Sequence, residues 1–319
     1  MKIGAVTGAQ GTFEALGIAS AVTICANQKR HYVPPSATAA ELATGPQAAL
    51  ADQWQAILGT LPPVTPGHRM YAGRAFGLVR DLAEAKSGRL FVVSAGLGLV
   101  DGATVLPVYG LTVARGVTES VSDRVVGDFN PANWFARLMS SRYAVKWDEI
   151  FQPNDGRVLI ALTRPYAEMI GPNLASLPEG LRARLRIFGA GLSPALPISI
   201  AAQVLPYDER LDTLLPGTKS DFAQRALVHF AEGVAAGAAD LRSDVASVTR
   251  ALSSVEPPAR AVRTPATDAD LLMLIRGRLS PRASASRLLR QLRDEDQIAC
   301  EQSRFAKLFR QAQLERQVQ

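Results

Sequence analysis

Three times in this chain a short apolar run stops abruptly at small or hydroxyl-bearing residues: RLFVVSAG at 89–96, VLIALTR at 158–164 and LRIFGAG at 185–191. Runs this short suit strands buried on both faces better than helices. Ser20 to Ile24 is a fourth such strand and feeds the polar loop CANQKRH. Helical patterns separate the strands. The spacing predicts a helix over 37–61 with Leu42, Ala49, Leu50, Trp54, Ile57 and Leu58 on one face, then a loop at Pro62, Pro63 and Pro66. It predicts another over Arg74 to Lys86, with Phe76, Leu78, Val79 and Leu82 inward. A third starts near Asn130, where Pro131 suits the first turn. Further helices are expected from Tyr166 to Leu174 and from Asp221 to Gly237. The whole predicts an α/β fold with a mainly parallel sheet flanked by helices. Residues 1–17 read as an extension, and the stretch after Asp101, ending in Pro107-Val108-Tyr109, as irregular.

Such sheets hold ligands at the carboxyl ends of their strands. The segments CANQK, SAG, TRPY and GAG all fall there. In CANQK, Lys29 close to Cys25 would promote a thiolate, and a desolvated Lys29 is itself a nucleophile or base. The alternatives are a buried, inert Cys25 and a Lys29 that is solvated or binds phosphate. Gly96 and Gly98 either let backbone N–H groups approach a ligand or simply turn the chain tightly. Tyr109 either stacks on a base or covers the sheet edge. Neither GxGxxG nor a Walker A loop is present. Asp208, Glu209 and Asp212 around Arg210 either do acid/base work or grip a ribose, or are surface ion pairs; Asp221 reads as a helix N-cap, and Gln224 and Arg225 as side chains able to face a phosphate.

Charge is concentrated at one end. From residue 260 to 319 there are 12 Lys+Arg against 7 Asp+Glu, which leaves +1 of the net +6 for the rest. A polar, Pro-rich linker at 252–267 separates an α/β domain at 1–251 from a basic module at 268–319. The module is expected to be a small helical, helix-turn-helix-like unit of three helices. Arg287, Arg290 and Arg293 form one basic row, and Arg304, Lys307 and Arg310 a second, each backed by leucine or phenylalanine. Rows of this kind contact phosphates rather than read bases. They equally describe a solvated face or a protein-docking surface.

Composition narrows the classes. Apolar stretches are broken by glycine and fall short of the roughly 20 residues that span a bilayer, so no membrane partner is expected. The first residues lack the order of a signal peptide, and the expected location is cytoplasmic. Two cysteines, Cys25 and Cys300, and three histidines offer no disulfide framework and no metal site. No cofactor is expected.

Four short elements occur in a recognisable order: Cys25 and Lys29 in CANQK; Tyr71, Gly73 and Phe76 in YAGRAF; Ser94, Ala95, Gly98 and Leu99 in SAGLGLV; Pro107, Tyr109 and Thr112 in PVYGLT. This order, over about residues 20–115, resembles a bacterial and phage family related to the YaaA peroxide-stress proteins. The family's Cys-Ser-x-x-Lys loop reads Cys-Ala-Asn-Gln-Lys here. The resemblance implies a site for a nucleotide, nucleobase or nucleic-acid end, with Lys29, Cys25 and Ser94 as its catalytic candidates. Tyr71, Arg74, Gly96, Gly98, Tyr109 and Thr112 are its ligand-binding candidates. The expected function is nucleic-acid association, DNA before RNA, whose enzymatic version processes a base or its glycosidic bond. The alternative is a non-catalytic DNA- or RNA-binding or assembly subunit with protein partners, for example in phage defence.

Overall fold

The computed structural model describes residues 11–259, 262–280 and 283–318; most of the expected extension, together with Arg260 and Arg282, lies outside them. The chain divides into two compact units, Met1–Pro257 and Pro258–Gln319.

In the first unit β1 (Ile18–Ile24), β2 (Arg89–Ser94), β3 (Gly98–Asp101), β4 (Arg157–Ala161) and β5 (Leu185–Phe188) form one sheet in the order β3-β2-β1-β4-β5. All neighbours run parallel except β3, which folds back along β2. The strands are buried almost throughout, as their unbroken apolar runs require. Successive side chains of β1 point to opposite faces. Thr23 meets Gln224 on one side, while Ser20 donates to the carbonyl of Ile150 on the other. The flanking helices are α1 (Gln47–Thr60), α2 (Arg74–Ala85), α3 (Pro131–Leu138), α4 (Arg164–Ala175), α5 (Phe222–His229) and α6 (Leu241–Leu252). Helices α2 and α5 pack together on the Thr23 face.

The expected helix over 37–61 is shorter, because two 3-10 turns precede α1. Pro46 forces Gly45 away from helical geometry, so the helix starts at Gln47. Gly98–Asp101, to which the sequence assigned no element, form strand β3. The Asp221 side chain does not cap α5. It accepts from the Thr218 amide at 2.8 Å and pairs with Arg225, closing the 3-10 turn ahead of the helix.

Helix α6 turns Leu241, Val245, Val248 and Leu252 to the core, and charge fixes it further. Asp240 caps it through the Ser243 amide. Asp244 then enters the interior between Arg157 of β4 and Arg186 of β5, 2.6 Å from each. The guanidinium groups also donate to carbonyls of Leu16, Gly17, Gly237, Ala183, Leu185 and Ala239. Two buried cations on one carboxylate are tolerable because every guanidinium nitrogen is bonded. Asp244→Ala leaves both arginines without their counter-charge and should cost about 3–5 kcal/mol. A urea titration checks this, and a loss below about 1 kcal/mol would show that the cluster holds nothing together.

The second unit contains α7 (Asp268–Arg278), α8 (Ala285–Asp294) and α9 (Gln302–Val318). Leu271, Ile275, Leu288, Leu292, Phe305 and Leu308 form its core. Thr267 and Asp270 close a capping box on α7. Thr264–Pro265, in the expected linker, pairs in parallel with Ile298–Ala299. No helix among the described residues is long and apolar enough to cross a membrane.

Candidate functional site

Strand β1 ends at Ile24, but the Cys25 amide still donates to the Val93 carbonyl at 2.9 Å, which sets Cys25 beside Ser94 of β2. The loop that follows is stitched to the segment before α2. Arg30 N–H donates to Met70, Ala72 N–H donates to Gln28, and Lys29 forms a bridge with Tyr71. Lys29 therefore returns over the strand ends. Its Nζ donates to the carbonyls of Ala26 at 2.6 Å and Asn27 at 3.2 Å. It also lies 4.9 Å from the centre of the Tyr109 ring and 5.2 Å from that of Tyr71, within cation–π range.

Beneath Lys29 runs a chain of hydroxyls. Ser94 Oγ is 2.5 Å from the Tyr109 hydroxyl, which is 3.0 Å from that of Tyr71; all three residues are fully buried. Ser94 Oγ also accepts from the Gly96 and Leu97 amides at 3.1 and 2.9 Å. A hydroxyl has two acceptor positions and one donor. Both of Ser94's acceptor positions are filled, so its hydrogen goes to Tyr109, while either hydroxyl of the Tyr109–Tyr71 pair can donate to the other. Beside this chain, Cys25 Sγ lies 3.0 Å from the hydroxyl of Tyr166, in the first turn of α4.

Burial governs the ionisation of these groups. It pushes the phenols of Tyr71, Tyr109 and Tyr166 far up, so they keep their hydrogens at physiological pH. It lowers the Lys29 ammonium, with Cys25 and Glu119 opposing the shift. The cluster thus offers neutral donors and an amine that deprotonates more readily than a surface lysine.

The structure brings together five of the expected site residues: Cys25, Lys29, Tyr71, Ser94 and Tyr109. The others stand apart. A Cβ on Gly96 would come within 2.5 Å of the Tyr109 ring, so this glycine makes room for the tyrosine, and its amide is committed to Ser94. Gly98, at φ +85°, starts β3 against the carbonyl of Leu138. The carbonyls of Ala95 and Gly96 accept from the indoles of Trp134 and Trp54. The tight-turn reading of these glycines accounts for them fully. Tyr109 is too deeply buried to stack on a base in this conformation and covers the sheet end instead. Arg74 is exposed, pairs with Asp221 and donates to Pro216. Thr112 Oγ1 accepts from Ala114.

Arg225 does not face a phosphate site: it is buried against Asp221 and Asp212 and donates to the carbonyls of Leu215 and Thr218. Gln224 is buried too. Its Nε2 reaches Thr23 at 3.4 Å, and its Oε1 has no partner among the described residues. Asp208 and Arg210 pair with each other, as the surface reading expected. Tyr166 was missed as a site residue, although TRPY falls at a strand end.

In the second unit the two basic rows separate. Arg293 donates to the Cys300 carbonyl at 3.1 and 2.6 Å, and Arg304 pairs with Asp268, so both serve the module's own structure. Arg287, Arg290, Lys307 and Arg310 are exposed and make no ion pair among the described residues. No group of three potential metal-ligating side chains occurs among the described residues. No family model, curated protein or solved structure matches the chain.

Tyr109→Phe keeps the ring but interrupts the hydroxyl chain, leaving two buried hydroxyls short of a partner. It should lower stability by about 1–3 kcal/mol. Equal denaturation midpoints for variant and native protein would refute the chain.

Proposed function

We propose that the protein associates with nucleic acid and holds a nucleotide or nucleobase at the carboxyl edge of its sheet, with Lys29 as the group that contacts and acts on it. The carrying observation is the convergence of Lys29, Cys25 and the Ser94–Tyr109–Tyr71 hydroxyls at the strand ends. An amine, a thiol and a line of neutral donors suit a base, with its ring nitrogens and carbonyl oxygens. The order of motifs shared with the YaaA-related family supports the same reading. So do the exposed cations of the C-terminal unit, which suit a phosphate backbone. In the enzymatic version Lys29, with its ammonium pKa lowered by burial, serves as base or nucleophile at the base or its glycosidic bond.

Lys29→Ala tests the assignment. Mass spectrometry of the native protein after gentle purification should find a bound nucleotide, base or nucleic acid, and the variant should lose it. The lost hydrogen bonds involve loop carbonyls that water can reach, each worth about 1 kcal/mol. Melting should therefore fall by only a few degrees, at about 2–4 °C per kcal/mol for a unit of this size. A variant that retains the ligand rules out Lys29, and one that unfolds makes its role structural. The pH dependence adds a check. Where the cation holds an anionic group, affinity falls as pH rises through the ammonium's lowered pKa, below the usual 10.5. Lys29→Arg should move that fall to higher pH.

A further inference from the structure

The C-terminal unit contains a cleft of about 400 Å³ between α8 and the start of α9. Its floor is Leu289 and Phe305, both buried. Its walls carry Arg263, Arg290 and Arg293 against one carboxylate, Asp294. That carboxylate is occupied, since Arg263 donates to it at 3.1 Å and to the Arg293 carbonyl at 2.9 Å. Arg293 is bound to the Cys300 carbonyl. Arg290 differs from both: it is exposed and makes no hydrogen bond or ion pair among the described residues. Arg310 lies one helical turn beyond Ala306, a lining residue, and donates to its carbonyl at 3.3 Å.

We propose that this cleft seats a phosphodiester segment of a nucleic-acid strand, with Arg290 on the phosphate and the Leu289–Phe305 floor under the adjoining sugar and base. This rests on the nucleic-acid reading above and narrows it to one groove. The volume lies within the usual range for sites that enclose small ligands. A guanidinium presents a planar fork of donors that matches two phosphate oxygens. Arg287 and Lys307, exposed on the same two helices, extend the positive surface beyond the cleft. A ligand whose charge repeats along its length gains from that extension in a way a single carboxylate does not. Only part of the arginine row therefore binds, while Arg293 and Arg304 hold the module together.

The test uses the full chain and a short fluorescein-labelled DNA, as duplex and as single strand, in anisotropy titrations across a range of salt. Arg290→Ala should make the log-affinity slope against log salt shallower by about 1. Ser286→Glu puts a carboxylate into the cleft, in the first turn of α8 where acidic residues suit the helix. It should weaken binding tenfold or more with no loss of helical circular dichroism. Met273→Glu, at an exposed position of α7, makes the same charge change elsewhere in the unit and should have a small effect. A loss with Ser286→Glu on either DNA form supports the cleft, and the form more affected is the one it holds. Equal losses for Ser286→Glu and Met273→Glu overturn the cleft in favour of diffuse charge. Native protein that binds while Arg290→Ala and Ser286→Glu are unaffected overturns the cleft alone. Native protein that binds neither form overturns the nucleic-acid reading together with it.

Discussion

The turn that joins β2 to β3 is buried, and the carboxyl edge of the sheet is organised around that constraint. A buried turn leaves amides and carbonyls that no ladder satisfies, and each unpaired one costs about 1–3 kcal/mol. Ser94 takes two amides, and the indoles of Trp54 and Trp134 take two carbonyls. These bonds pin α1 and α3 to the strand ends. They also require a residue without a side chain at Gly96, and the Tyr109 ring fills the space. Tyr109 then reaches Tyr71, whose backbone bridges Lys29. The place of the amine follows, step by step, from the need to close one turn without water.

The opposite edge solves its problem with charge. Arg157 begins β4, Arg186 sits in β5 opposite Leu159, and Asp244 joins the two arginines from α6. Hydroxyls lie at one end of the sheet, with Lys29 and Cys25 half-buried beside them, and an ionic cluster of two cations and one anion lies at the other.

Local signals carried much of this into the sequence. Apolar runs such as Phe91–Val93 and Val158–Ala161 announce buried strands, and Pro131 and Gly189 mark boundaries, because these depend only on neighbouring residues. Cys25, Lys29, Ser94 and Tyr109 were legible as candidates because each follows a strand. Features that need a distant partner were not. Nothing near Asp244 signals that two arginines await it, and nothing in TRPY says that Tyr166 meets a thiol from position 25. The basic rows at 287–310 were visible as spacing, but spacing cannot separate an arginine that faces solvent from one, like Arg293, that secures a turn. Strand β3 escaped because it is only four residues long, opens on a glycine and buries both Leu99 and Val100, so it shows no alternation.

The loop from Ala26 to Arg30 is fastened along its length, by the Lys29 amine to its own carbonyls and by main-chain bonds to Met70 and Ala72. Its conformational entropy is surrendered when the chain folds, before any ligand arrives. Association at this edge then requires little further ordering of the protein, and rigid sites of this kind keep more of their contact energy as affinity. The same stitching makes the loop a poor hinge. Under the function proposed above, an occupant would meet Lys29 and Cys25 already in place, and shape would decide at the moment of encounter.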